Sequence, residues 1–289
     1  MQQLFKKTLR QIDAYDTVHT TRSLTGGDIN EAYYVQSKNR EFFVKLNRSV
    51  DPAFFNFEKR GLEKIGNTGT LHVPEVYGVY TDEQENIPML WMEWIAGEKK
   101  ESTEDWLGER LAAMHRTEGK AFGLDEKSFI GKLEQDNQLV DNWVSYYRDY
   151  RLGGQLKIGV NRKTIKGKRK EMLMALMEQM DRWIPEAPTP SLLHGDLWGG
   201  NWMIGKEGNP YLIDPSILYG DHELDIAFTE LFGGFSQRFY DSYTSVLPLS
   251  DTYNDKKELY QLYYLLVHLN MFGESYGSSV DRILKRYTD

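Results

Sequence analysis

Residues 191–225 read SLLHGDLWGGNWMIGKEGNPYLIDPSILYGDHELD. Leu192 and Leu193 lead into His194, Gly195 and Asp196, and Asn201 follows five residues after Asp196. Trp202 to Ile204 reads as a short strand and Gly205 to Pro210 as a turn. Tyr211 to Ile213 reads as a returning strand ending at Asp214. Such an antiparallel hairpin places Asn201, just before its first strand, beside Asp214, just after its second. An amide oxygen and a carboxylate converge there, with Asp196 one tight loop away. Hard oxygen ligands of this kind suit Mg²⁺, which takes one or two protein carboxylates and the phosphates of a substrate. Asp196 is then free to act as a base.

This is the order of groups in a kinase catalytic loop, H-x-D-x-x-x-x-N followed by a metal-binding Asp. An Asp-to-Asn spacing of five alone is equally the mark of ordinary turns; the whole set carries the reading. The front of the chain offers an independent check, because phosphoryl transfer needs a cation on the nucleotide phosphates and a group to hold it. Lys45 lies inside the apolar strand Phe42 to Leu46. Glu58 lies on the apolar stripe of a helix with Phe55, Leu62 and Ile65, where an unpaired carboxylate is costly. A Lys45–Glu58 ion pair removes that cost; the alternative is that both side chains snorkel to solvent. Gly26 and Gly27 suit a turn over the nucleotide, and equally a plain hairpin turn. Backbone groups of Glu93, Trp94 and Ile95 are candidates for binding adenine.

Around these motifs the organisation is α+β. An amphipathic helix with Leu4, Phe5, Leu9 and Ile12 on one face opens the chain. Strands are expected at Thr17–Ser23, Ala32–Val35, Phe42–Leu46, Val76–Tyr80 and Met89–Ile95. A helix from Pro52 to Ile65 interrupts them. After Gly97 the pattern turns helical, at Ser102–His115, Gln138–Tyr150, Lys163–Ile184, Lys256–Phe272 and Val280–Tyr287. The reading is a β-rich amino-terminal lobe over residues 1–95, with a hinge near 93–97, and a mainly helical lobe over residues 96–289 carrying the catalytic loop.

Composition excludes several function classes. The chain of 289 residues has 35 Lys+Arg against 43 Asp+Glu, a net charge of −8. A negative chain is a poor general binder of nucleic acid or anionic membrane. It has no cysteine, hence no disulfide, thiolate metal site or thiol nucleophile. No stretch approaches the ~20 apolar residues of a membrane span, and the first fifteen residues lack a signal-peptide pattern. A cytoplasmic protein is expected. Seven Lys/Arg and no acid occupy 157–170; a solvated loop and helix start is favoured over a phosphate-binding patch. From Asp214 to Glu230 there are five acids and no Lys or Arg, which suits either a cationic acceptor or solvated acids at a helix start. His115 and His222 lack ligand-spaced partners and read as surface or packing residues.

HGDLWGGN, IDPSILYG, the ELD of 223–225 and ELFGGF at 230–235, with GGDIN at 26–30, FFVKLN at 42–47 and FEKRGL at 57–62, resemble the fructosamine kinase (ketosamine 3-kinase) family. The resemblance runs from about residue 20 to the end. It implies a bilobal protein-kinase-like fold and ATP-dependent phosphorylation of the sugar 3-hydroxyl of a ketosamine, free or protein-bound. By position, Asp196 is then the catalytic base and Asn201 and Asp214 hold Mg²⁺. Lys45 contacts the α/β-phosphates and is held by Glu58, and Trp198 packs on the acceptor. Asp225 braces the catalytic loop through its backbone, although a carboxylate at a helix N-terminus is also favoured by the dipole alone. His194 is chemically competent as a base, yet Asp196 fills that position, so His194 reads as a support of the loop. Gly195 stands where protein kinases carry the Arg that pairs with a phosphorylated activation loop. Asp225 follows Asp214 by only eleven positions, too few for a long activation segment, which argues for a small-molecule acceptor. Some family members carry a switching cysteine in the glycine-rich turn; this chain does not, so no disulfide-linked dimer forms. An aminoglycoside- or choline-type kinase and a non-catalytic nucleotide-binding pseudokinase are the alternatives.

Overall fold

The structure, a computed structural model, describes residues 1–25, 29–82 and 85–288. In chain order it runs α1 (Gln2–Ile12), β1 (Val18–Leu24), β2 (Glu31–Ser37), β3 (Glu41–Leu46), α2 (Pro52–Gly66), β4 (Val76–Asp82), β5 (Ile87–Glu93) and α3 (Thr103–His115). Then come β6 (Ser128–Ile130), β7 (Leu133–Gln135), α4 (Trp143–Tyr146), α5 (Gly153–Arg162) and α6 (Gly167–Glu178). The last part is β8 (Ser191–Leu193), β9 (Trp202–Ile204), β10 (Pro210–Leu212), β11 (Leu218–Gly220), α7 (Glu223–Phe232), α8 (Gln237–Val246), α9 (Tyr253–Phe272) and α10 (Gly277–Thr288). By packing, residues 1–106 with 201–215 form one compact unit, and 107–200 with 216–289 form a second. The β9–β10 hairpin thus packs with the amino-terminal unit, which a reading of 96–289 as one unbroken lobe does not anticipate.

The first unit is built on an antiparallel sheet of order β1-β2-β3-β5-β4. Side chains alternate between the faces of a strand, and β3 shows the consequence. Phe42, Val44 and Leu46 point into a core with Phe5 and Leu9 of α1, Val35, Met89 and Trp91. Phe43 and Lys45 point the other way, and Lys45 is met there by Glu58 of α2. α2 starts where Asp51 accepts a hydrogen bond from the Ala53 amide at 2.8 Å, with Pro52 in the first turn.

The second unit is mainly helical. α9 is its central element, with Leu259, Tyr260, Leu262, Tyr264, Leu266 and Leu269 fully buried. Two helical expectations shift. The segment expected over 138–150 becomes helical only at Trp143, where Asn142 caps the Ser145 amide. It then widens into a π turn over Tyr147–Leu152 and continues as α5. The helix expected from Lys163 starts at Gly167, because Lys163 adopts a left-handed conformation (φ +62°) that ends α5. Within the basic run, Arg169 on α6 binds Glu274 and Asp281 and Arg162 binds the Asn270 carbonyl, so its arginines fasten helices together. Among the described residues no helix is long and apolar enough to cross a membrane.

Candidate active site

The amino-terminal unit supplies one set of groups. The Lys45 ammonium donates to Glu58 Oε1 at 2.7 Å, and both residues are buried. Lys45 also touches the Asp214 carboxylate. The hairpin behaves as its register requires: Trp202 pairs with Leu212, and beyond that pair the Ile213 amide donates to the Asn201 carbonyl at 3.0 Å. Asn201 and Asp214 are thereby held at the same open end of the hairpin. Asn201 is buried, while the Asp214 side chain is 39% exposed. Asp214 has φ +55°, the left-handed region that a non-glycine residue seldom occupies, so its carboxylate is aimed by a strained backbone. At the turn of the hairpin, a Cβ on Gly97 would collide with the Gly205 carbonyl, so the stretch after β5 lies directly on the turn.

Three residues at the end of β5 carry the adenine expectation. The Glu93 amide donates to the Glu75 carbonyl at 2.8 Å and the Trp94 amide to the Glu41 carbonyl at 3.4 Å. Both donors are engaged within the protein, which leaves their carbonyls and the backbone of the buried Ile95 as the groups to consider. Gly26 and Gly27 lie outside the described residues.

The carboxy-terminal unit supplies the catalytic loop. Asp225, in the first turn of α7, accepts the His194 amide at 2.7 Å on one oxygen and the Gly195 amide at 2.9 Å on the other. The Ser216 amide donates to the His194 carbonyl, and the Tyr264 hydroxyl on α9 donates to the Gly195 carbonyl at 3.1 Å. Every backbone polar group of those two residues is therefore fixed. Gly195 has φ +78°, and a Cβ there would collide with the Ser216 carbonyl. His194 is fully buried, and its Nδ1 accepts the Asp196 amide at 3.2 Å, a geometry for holding the loop. Trp198, 42% exposed, presents its ring at the surface just beyond Asp196.

Asp225 is itself held. Burial acts to raise its carboxyl, but the His115 hydrogen bond at 3.1 Å, the His115 and His194 charges and the Gly195 amide prevail, so it lies below the ordinary carboxylate range. His115 is thus a buried partner of the loop and no surface residue. It falls four residues after Leu111 on the buried stripe of α3, which was the available signal. Tyr264 carried no local signal, since its partner is 69 residues away. The acids after Asp214 are neither solvated nor spare: Asp221 and Glu223 bind Lys256, Glu230 binds Lys257, and Asp225 binds His115. The acids expected to meet a cationic acceptor are thus engaged by partners within the unit.

The fructosamine kinase pattern matches residues 1–289. The chain belongs to the fructosamine kinase family. This kinase is 36% identical over 265 residues to the "Probable ketoamine kinase" of Enterococcus faecium, covering 91% of the chain and 94% of that protein. It is 34% identical over 274 residues to the chloroplastic "Protein-ribulosamine 3-kinase" of Arabidopsis thaliana, covering 92% and 81%. The solved "Putative fructosamine-3-kinase" of Haemophilus somnus superposes with a TM-score of 0.89 at 27% identity, over 99% of this chain and 97% of that one. The aminoglycoside phosphotransferase APH(4)-Ia, bound to AMP-PNP and hygromycin B, superposes with a TM-score of 0.64 at 15% identity, over 97% of each chain; that likeness is one of fold alone. The fold is protein-kinase-like, with a β-rich amino-terminal part and a mainly helical carboxy-terminal part.

Proposed function

We propose that this kinase transfers the γ-phosphoryl group of Mg²⁺·ATP to the sugar 3-hydroxyl of a ketosamine, a fructosamine or ribulosamine. The observation that carries the reading is the buried Lys45 bonded at once to Glu58 and to Asp214, with Asn201 at the same end of the hairpin. Asn201 and Asp214 fit Mg²⁺ as hard oxygen donors. Among the described residues no three His, Cys, Asp or Glu converge on a point, and Mg²⁺ needs no such cage because phosphates and waters complete its shell. Bound there, the ion would supply positive charge against the nucleotide phosphates. Lys45, steadied by Glu58, places its ammonium on the α/β-phosphates. The Ile95 backbone and the Glu93 and Trp94 carbonyls receive adenine. Trp198 offers its exposed ring to the acceptor. Asp196 accepts the proton of the attacking hydroxyl as the oxygen–phosphorus bond forms. The β–γ bridging bond breaks, and its electron pair leaves on ADP.

Curated relatives above 30% identity named as ketoamine or ribulosamine kinases support this acceptor class over an aminoglycoside, for which the likeness is one of fold. Intact Lys45, Glu58, Asp196, Asn201 and Asp214 weigh against a pseudokinase. A coupled ATP-consumption assay with a fructosamine such as fructoselysine and with a ribulosamine tests the proposal. Turnover is expected, with phosphate on the third carbon by NMR, and Asp196→Asn is expected to lower kcat by about 10²–10⁴. No turnover across that panel would sink the acceptor assignment.

A further inference from the structure

The hydrogen bonds that fix the catalytic loop do not stop at His115. His115 Nδ1 lies 2.7 Å from the Tyr243 hydroxyl on α8, and the same hydroxyl lies 2.8 Å from His222 Nδ1. The chain of contacts is His222, Tyr243, His115, Asp225, then the His194 and Gly195 amides. Tyr243 and Asp225 are fully buried, and His115 almost so.

Donor and acceptor counting leaves two arrangements, set by the protonation of His115. An ionised Asp225 only accepts, so His115 presents Nε2–H to it. A neutral His115 then offers Nδ1 as an acceptor. The Tyr243 O–H donates there, and its oxygen accepts Nδ1–H from His222. Were His115 doubly protonated, Tyr243 would accept from it and donate to His222. In both cases one hydroxyl supplies one donor and one acceptor between two imidazoles, which phenylalanine cannot do. Burial, with the charges of Asp225, Asp221 and Glu223, keeps the Tyr243 phenol protonated.

We propose that Tyr243 is a positioning residue for phosphoryl transfer: through His115 and Asp225, its hydroxyl fixes the His194–Gly195 backbone and hence the carboxylate of Asp196. His222 completes the relay. His115 and His222 also border a cavity of about 350 Å³, with Asp221, Glu223 and Lys256 on its wall, so the far end of the relay is open to small solutes. The proposal rests on the reading of Asp196 as the base.

The test is steady-state kinetics on the full chain. Tyr243→Phe is expected to lower kcat about tenfold, with KM for ATP and for the acceptor within about twofold, since loop aim is lost and binding surfaces are kept. Combined with Asp225→Asn it is expected to add no further loss, because both act through one path. An unchanged kcat, or losses that multiply, would overturn the proposal. If Tyr243→Phe does not fold, His222→Ala serves, since its ring borders the cavity. Its kcat should fall about threefold and be restored by millimolar imidazole entering the vacated space; unchanged kcat, or no restoration, counts against the relay. Asp196→Asn separates the two readings. If it stays active, the base assignment falls. If it is inactive while Tyr243→Phe is fully active, the positioning role alone falls.

Discussion

Two lysines in this protein are each buried against two carboxylates, and the pair can be compared group by group. Lys256 in the carboxy-terminal unit binds Asp221 at 3.0 Å and Glu223 at 2.7 Å, with all three side chains no more than 3% exposed. The remaining lone pairs are filled: Tyr260 donates to Asp221 at 2.6 Å, and the Ser250 amide and hydroxyl donate to Glu223. Lys45 in the amino-terminal unit binds Glu58 in the same closed way, but its second acid, Asp214, is 39% exposed and sits on a left-handed backbone. One cluster is satisfied and sealed. The other has one acid left facing outward, at a backbone cost that packing does not require. Composition alone does not distinguish scaffold from site; the state of the second carboxylate does.

Three substitutions sharpen or break that contrast. Lys256→Met leaves two buried acids without their cation and is expected to cost about 3–5 kcal/mol of folding stability. The folded fraction should keep its kcat. Urea unfolding with activity normalised to folded protein measures both, and a kcat loss at full stability would erase the distinction. Lys45→Met should do the reverse, lowering kcat/KM by about 10²–10³ while costing less stability than Lys256→Met, because Asp214 can turn to water. A larger stability loss than that of Lys256→Met would place both lysines in the scaffold.

The third prediction concerns His222, which stands beside the sealed cluster. Burial, then the neighbouring His115, pushes its imidazole from the ordinary 6.5 down to about 4. The unfolded chain therefore takes up a proton that the folded chain refuses. Stability held above pH 6.5 is lost as pH falls from there through 4, by no more than about 3 kcal/mol. Thermal midpoints between pH 7 and 4 should fall less steeply in His222→Gln than in the unaltered protein. Equal slopes would mean that the imidazole is not held neutral.

What was legible in the sequence follows from the range of the interactions. The five-stranded sheet, α2 with its Asp51-Pro52 start and the β9–β10 hairpin are all written in local alternation, capping and turn chemistry. The Lys45–Glu58 pair was legible because a carboxylate on an apolar stripe demands a partner. The extent of α7 was not, beyond a helix start at its acids, since Leu224, Ile226, Ala227 and Phe228 are all buried and blur the period. The supports of the catalytic loop were also hidden. His115 reaches Tyr243 across 128 residues and Asp225 across 110, and no spacing rule spans such distances.

Gly195 carries a consequence for how this kinase can be controlled. Its φ of +78° and the Ser216 carbonyl against its missing Cβ forbid any side chain at the position where protein kinases keep their loop-sensing arginine. Restoring that arginine by a single codon change would wreck the loop it was meant to govern. Switching through an arginine at this position is closed to this protein unless the backbone around Ser216 is rebuilt first, so a designer seeking an inducible form must look for a control point elsewhere in the molecule.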